Sequence, residues 1–323
     1  MSDLVVAGVV LVAVYGTLAW SVSRGLAQRI ALDHPNARSL HDAPTPRVGG
    51  LVLVAAALVA WLALAPGLYP LALIAGGLSL LSFFDDLRGL RVTVRLVAHL
   101  AAAIVACRYL LPDSAWWQLA GLAMALAWLT NLYNFMDGAD GLAGGMAVTG
   151  FGAYAAAGYL EGANMLATPS LMVAVAAAGF LGVNFPPARV FLGDSGSVPL
   201  GFLAGALGLA GVVMGVWPAW FPILVFSPFI VDASVTLVRR LLRGDAVWRA
   251  HREHAYQRLV RAGWTHRRLV AHAWPLMASV ALGAVLFRNS DNAASLLLVS
   301  GLLYAGLLWA VEAHWSRHGQ DRA

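Results

Sequence analysis

Eleven apolar stretches divide this chain, at about 4–22, 49–65, 70–84, 93–111, 115–130, 143–160, 169–184, 198–216, 219–238, 270–287 and 293–313, with polar or Pro/Gly-marked breaks between them. A helix needs roughly 20 mostly apolar residues to cross a hydrocarbon core about 30 Å thick. Eleven crossings would therefore take up about 220 positions of a chain of 323 residues. Composition agrees: 60% of the residues are apolar and 11% charged, against about 45–50% and 25% in soluble domains. We expect an all-α polytopic membrane protein with about eleven transmembrane helices. It reads as one integral membrane domain over 1–323, with no soluble domain, fixed-period repeat or low-complexity linker. Cys107 has no second cysteine to pair with, so a disulfide framework is excluded. The first apolar run follows an Asp rather than a basic segment, so it is expected to be a retained crossing and not a cleaved signal peptide.

An odd number of crossings puts the termini on opposite sides. All 21 basic residues are Arg, and with the N-terminus outside, all but Arg108 and Arg288 fall on the cytoplasmic side. Positive residues stay on the cytoplasmic side of bacterial membranes, which sets the orientation: N-terminus outside, C-terminus cytoplasmic. The polar clusters also lie on that face, so an active site is expected to face the cytoplasm. The nine Arg of the loop 239–269 make it a basic cytoplasmic loop.

Four clusters and one leading loop carry chemistry. Asp85 and Asp86 close the third apolar run with Arg88 beside them; adjacent acids make sense if a cation or proton sits between them and a substrate, or they form an interfacial stop signal. Asn131, Asn134 and Asp137 recur at spacing three, which puts them on one side of a helical turn, and Gly138, Asp140 and Gly141 follow. Such oxygen ligands suit Mg²⁺ and a nucleotide hydroxyl; the plain alternative is a helix cap and turn. Gly193, Ser195, Gly196 and Ser197 surround Asp194, a tight loop whose N–H groups can meet phosphate while the carboxylate holds a metal. His251, His254 and Arg258 would share one side of a helix and favour an anion over zinc; a basic loop at lipid headgroups is the plain reading. The leading loop, with Asp33, Arg38, His41, Arg47, Gly49 and Gly50, reads as a fixed turning segment.

In this order the clusters resemble the polyprenyl-phosphate N-acetylhexosamine-1-phosphate transferases, over nearly the whole chain. The matching pieces are Pro-Arg-x-Gly-Gly at 46–50, Asp-Asp at 85–86, Asn-x-x-Asn-x-x-Asp-Gly-x-Asp-Gly at 131–141 and Phe-Leu-Gly-Asp-Ser-Gly-Ser at 191–197. The ending His-Arg-x-His-x-Tyr-Gln-Arg at 251–258 resembles the O-antigen-initiating branch more than the peptidoglycan branch. The resemblance implies an inner-membrane enzyme that moves an N-acetylated amino-sugar 1-phosphate from a UDP-sugar to undecaprenyl phosphate, releasing UMP and initiating a lipid-linked surface glycan such as O-antigen. It implies Mg²⁺, with Mn²⁺ as a substitute, on Asp194 and Asn134, and catalytic roles for Asp85, Asp86 and Asp137. It places Asn131, Asp140, Asn184, Phe191, Gly193, His251, His254 and Arg258 at the substrates. Asp137 fits either a one-step or a two-step route. Where the peptidoglycan branch has a Lys three residues after its Asp pair, this chain has Gly89, so a donor contact made by that Lys is expected to be absent or to be supplied by another residue such as Arg88 or Arg91.

An ion-coupled transporter is the rival reading, but transporters set ionisable groups near the midplane within repeated halves, and these acids gather at one face. A CDP-alcohol phosphotransferase would need an Asp-x-x-Asp-Gly-x-x-Ala-Arg pattern, which 137–145 does not meet. A non-catalytic scaffold would tolerate loss of Asp194. The implied partners are the membrane, the lipid phosphate and the UDP-sugar, with no nucleic acid; lipid-facing surfaces are compatible with a homodimer.

Overall fold

Backbone groups in hydrocarbon have no water to bond, so apolar segments of this kind close their hydrogen bonds within helices. The computed structural model describes residues 3–35, 40, 43–246 and 251–318. Its helices are α1 (Asp3–Ser23), short α2 (Ala27–Ile30), α3 (Gly49–Leu64), α4 (Tyr69–Arg88), α5 (Val92–Leu110), α6 (Trp116–Phe135), α7 (Leu142–Leu160), α8 (Asn164–Asn184), α9 (Asp194–Val213), α10 (Trp220–Val225), α11 (Ser227–Leu242), α12 (Ala255–Arg261), α13 (His266–Phe287) and α14 (Ala293–His318). A two-stranded ribbon, β1 (Leu32–Asp33) antiparallel to β2 (Thr45–Pro46), pairs Leu32 with Pro46 and Asp33 with Thr45. Arg38 and His41 of the leading loop, and 247–250 of the basic loop, lie outside the described residues.

Ten of the eleven apolar windows each fall on a single helix. Seven of the described helices, α1, α4, α5, α8, α9, α13 and α14, are long and apolar enough to cross a membrane; α3 is shorter. The window at 219–238 is not one helix. It breaks at Phe226 into α10 and α11, because Pro228 lies in the first turn of α11 and has no N–H to continue the preceding helix. The basic loop is largely helical as well: α11 runs on to Leu242, and α12 and the start of α13 occupy its second half.

The core is built on α7, α8 and α9, whose Gly- and Ala-rich faces allow the close approach that replaces the hydrophobic effect between membrane helices. Helix α8 packs on α1, α3 and α7, while α9 packs on α3, α4, α5 and α6. On the periphery, α14 buries Ser300 and Tyr304 but leaves Leu298, Leu302 and Trp309 exposed, as suits a lipid-facing helix. Three successive hairpins, α4–α5, α6–α7 and α8–α9, turn at the same end of the bundle. That end collects the polar clusters.

Candidate active site

The frame of the site is a backbone splice between the leading loop and the start of α9. Phe191 N–H donates to the Pro46 carbonyl at 2.8 Å, Gly49 N–H to Phe191 at 3.0 Å and Gly50 N–H to Leu192 at 2.9 Å. Gly50 then lies directly against Gly196: a Cβ on either residue would overlap the backbone of the other. This close approach is why the Gly-Gly pair and the Gly-Asp-Ser-Gly run are needed together, and it sets Asp194 in the first turn of α9. Free N–H groups and the positive dipole end favour negative charge at such a turn.

Around that turn the sequence clusters converge. Asp85 and Asp86, which close the third apolar run, occupy the last turn of α4, which Gly89 ends at φ +68° with its N–H on the Asp85 carbonyl at 2.8 Å. Asp85 accepts from Leu90 N–H at 2.5 Å and from Arg95 Nη1 at 2.7 Å. The same Arg95 nitrogen stands 3.3 Å from Asp194 Oδ2. Asp86 Oδ2 accepts from Ser195 N–H at 3.4 Å, and Asp86 Oδ1 lies 3.6 Å from Arg47 Nη1. Arg47 also pairs tightly with Asp33 across the ribbon. Ser197 Oγ donates to Asn134 Oδ1 at 2.8 Å, and Asn134 hydrogen-bonds Asp194, so the two residues expected to hold a metal share one corner.

Asp137 follows the end of α6 and joins this group. Burial, then the charges of Asp194, Asp86 and Asp140, push its carboxyl well above the usual range, and Arg47 only partly offsets them. Asp33, Asp85, Asp86, Asp137 and Asp194 thus share two guanidiniums, Arg47 and Arg95. An acid excess of hard oxygen donors fits Mg²⁺, which binds one or two carboxylates and takes its remaining ligands from water and substrate phosphates. No group of three His, Cys, Asp or Glu placed to hold a metal ion by themselves occurs among the described residues.

Other expected site residues are held in scaffolding contacts. Asn184 Oδ1 accepts from Gly141 N–H and its Nδ2 donates to the Val190 carbonyl, both at 2.9 Å, so this buried amide ties the turn before α7 to the loop before α9. Asp140 accepts from Ala188 N–H at 3.0 Å and lies 3.1 Å from His266 Nδ1. Asn131 donates to the Ala127 carbonyl at 2.7 Å, and its Oδ1 meets His99 Nδ1 at 3.2 Å.

The expectation that His251, His254 and Arg258 share one side of a helix is corrected. His251 and His254 precede α12 rather than sitting on it, with ring centroids 4.9 Å apart, and His254 is sandwiched between Phe135 and Tyr256. Arg258, on α12, instead pairs with Glu312 of α14 at 2.8 Å. Much of the basic loop's charge is used internally, since Glu253 takes Arg240 and Arg243. Tyr256 connects the loop to the acids: its hydroxyl donates to the Phe135 carbonyl at 3.0 Å, and Gly138 leaves room for its ring. Asp232 of α11 fixes the loop by accepting from Ala255 N–H at 2.7 Å and Tyr256 N–H at 3.1 Å.

Arg95, His99, Asp232 and His266 join these contacts although no motif in the sequence marks them. Arg95 and His99 are ionisable side chains four apart within an apolar window, which is a signal in the sequence. Arg95 pairs with Asp85 and Asp194.

Burial, then the neighbouring charges of His254 and Arg240, push His251 down to about 4 from an ordinary 6.5. Folding therefore favours its neutral form. That contribution is complete above about pH 6.5 and is lost as pH falls through about 4. Thermal unfolding of His251→Gln should accordingly lose less stability between pH 7 and pH 4.5 than the unaltered protein does; an equal loss would show that His251 does not titrate in this way.

Comparison with known proteins finds relatives over most of the chain. Residues 68–212 match Glycosyl transferase family 4. The phospho-N-acetylmuramoyl-pentapeptide-transferase of Moorella thermoacetica is 30% identical over 80% of this chain and 88% of its own length. The decaprenyl-phosphate N-acetylglucosaminephosphotransferase of Mycobacterium tuberculosis is 28% identical over 88% of this chain and 83% of its own. A Bacillus subtilis protein named probable undecaprenyl-phosphate N-acetylglucosaminyl 1-phosphate transferase is 27% identical over 83% and 80%.

Proposed function

This chain belongs to the polyprenyl-phosphate hexosamine-1-phosphate transferases of glycosyl transferase family 4, and from that membership we propose that it transfers an N-acetylated amino-sugar 1-phosphate from a UDP-sugar to undecaprenyl phosphate. The carrying observation is the meeting of Asp85, Asp86, Asp137 and Asp194 with Arg47 and Arg95 at the start of α9. An oxygen of the lipid phosphate attacks the sugar-bearing phosphorus of the donor, the bond from that phosphorus to the bridging oxygen breaks, and UMP leaves. Phosphoryl transfer of this kind asks the protein for alignment and charge neutralisation rather than covalent chemistry.

Asp194 and Asn134 would hold Mg²⁺, which supplies charge neutralisation at the diphosphate when bound. Asp85 is held by Arg95 and a backbone N–H. A phosphate monoester with a second pKa near 6 is mostly dianionic at neutral pH and hardly needs a base. We therefore assign Asp85 and Asp86 to orienting the acceptor through the two guanidiniums. By family resemblance Asp140, Asn184 and Phe191 would meet the uridine and Asn131, Gly193, His251 and His254 the rest of the substrates; His254 stacks on Tyr256, whose hydroxyl bonds the Phe135 carbonyl just before Asp137. The Arg distribution supports eleven crossings, a cytoplasmic C-terminus and a site on the cytoplasmic face of the inner membrane. The His-Arg-x-His ending supports initiation of an O-antigen-like glycan.

The test is UMP release by purified protein given undecaprenyl phosphate, Mg²⁺ and a panel of UDP-N-acetylhexosamines. Release that needs both lipid and metal, with one donor far ahead of the others, is expected. No release with any donor from well-folded protein would refute the assignment.

A further inference from the structure

Helix α5 carries none of the cluster motifs, yet two of its side chains one turn apart enter the site. His99 is buried against Asn131, and Arg95 reaches Asp85 and Asp194 with a single nitrogen, at 2.7 and 3.3 Å. One cationic N–H group shared by two carboxylates from different helices occupies the place a small cation would take between them. The side chain is also about one third exposed, so it has room to move. The two contacts are unequal. The shorter one, to Asp85, lies in the same hairpin and is reinforced by Leu90 N–H; the longer one, to Asp194, crosses between helices.

We propose that Arg95 is the resident counter-cation of the site: it neutralises Asp194 while no divalent ion is bound, gives Asp194 up when one binds, and keeps its hold on Asp85. This rests on the transferase reading only in taking Asp194 as a metal ligand. Two positive groups cannot share one carboxylate oxygen without repulsion, and unit charges near 4 Å interact by several kcal/mol at a protein surface. Arg95 and the divalent ion therefore compete. After release, the guanidinium stands beside the acceptor side of the site with free donors, in the planar arrangement that suits a phosphate. The competition also prevents the carboxylates from lying unneutralised between turnovers.

The experiment measures metal binding without substrate. Mn²⁺ affinity is read by electron paramagnetic resonance on the full-length protein in lipid nanodiscs. Arg95→Met should bind Mn²⁺ at least about tenfold more tightly than the unaltered protein, Arg95→Lys should stay within about threefold of it, and Asp194→Asn should lose binding. A side chain that merely supported the fold would make Arg95→Met bind more weakly, and equal or weaker binding overturns the proposal. Should Arg95→Met not fold, the unaltered protein carries the test. Mg²⁺ alone should speed modification of Arg95 by phenylglyoxal severalfold, as measured by peptide mass spectrometry. Unchanged or slower modification refutes the proposal. Mn²⁺ binding that is unaffected by Asp194→Asn refutes it through its premise, whereas UMP release that persists would leave the transferase reading standing.

Discussion

Replacing Asp194 with Asn should lower turnover by roughly 10³-fold or more while leaving thermal stability equal or slightly higher. The two effects separate because the side chain serves the reaction at a cost to the fold. It lies at the start of α9 with Asp86 one backbone contact away and Asp85 on the other side of Arg95. Like charges at this separation repel, so a neutral amide of the same shape relieves repulsion and keeps Asn134 within hydrogen-bonding distance. The reaction loses a carboxylate where negative charge must be gathered and neutralised, and electrostatic groups of this kind are worth about 10²–10³ each in turnover. Loss of the metal ligand adds to that. The measurement is UMP release under saturating substrates, paired with thermal unfolding in detergent. An Asn variant that retains more than about a tenth of the activity would remove Asp194 from the catalytic centre. A variant that loses activity only because it unfolds would make its role structural.

The site was legible in sequence where chemistry was local and obscure where it was made by packing. Asp85, Asp86, Asn134, Asp137 and Asp194 stand out because acids and amides crowd the ends of apolar runs, where only a use justifies them. The fold class was legible for the same reason, since apolar length is read directly from the chain. Arg95 was harder to assign: its partner Asp194 is 99 positions away, and nothing local shows which carboxylate a lone Arg near a helix end will meet. Asp232 was hidden more deeply. Its task is to cap the backbone of α12, 23 and 24 positions further on, and a backbone acceptor leaves no motif. The broken helix at Phe226 shows the opposite limit, an apolar run in which one proline outweighs composition. Asn184 and Asp140 teach restraint, since a motif residue can earn its place by holding two loops together as well as by touching a ligand.

The second large effect concerns a residue with no functional group. Gly50→Ala should destabilise the protein by about 2–3 kcal/mol, as overpacking a tight contact does, and should cost about 100-fold in turnover. At this crossing α3 and α9 meet backbone to backbone. A methyl group on Gly50 would fall on Gly196 and would lie 2.6 Å from the Leu192 carbonyl that Gly50 N–H itself uses. The atoms it would meet are all backbone, so no side-chain rotation relieves the clash; α3 and α9 must move apart. Moving α9 shifts Asp194, Ser195 and Ser197 together against Asp86 and Asn134, whose contacts with them are 3.4 and 2.8 Å. A displacement near 1 Å between reacting groups can cost about 10² in rate even when the fold survives. Gly77 of α4 provides the control, since a Cβ there meets nothing within 4 Å; Gly77→Ala should leave turnover unchanged and raise stability slightly by favouring helix. Thermal unfolding and UMP release measured for both variants decide the matter. Equal behaviour of Gly50→Ala and Gly77→Ala would mean that the α3–α9 contact does not set the geometry of the site.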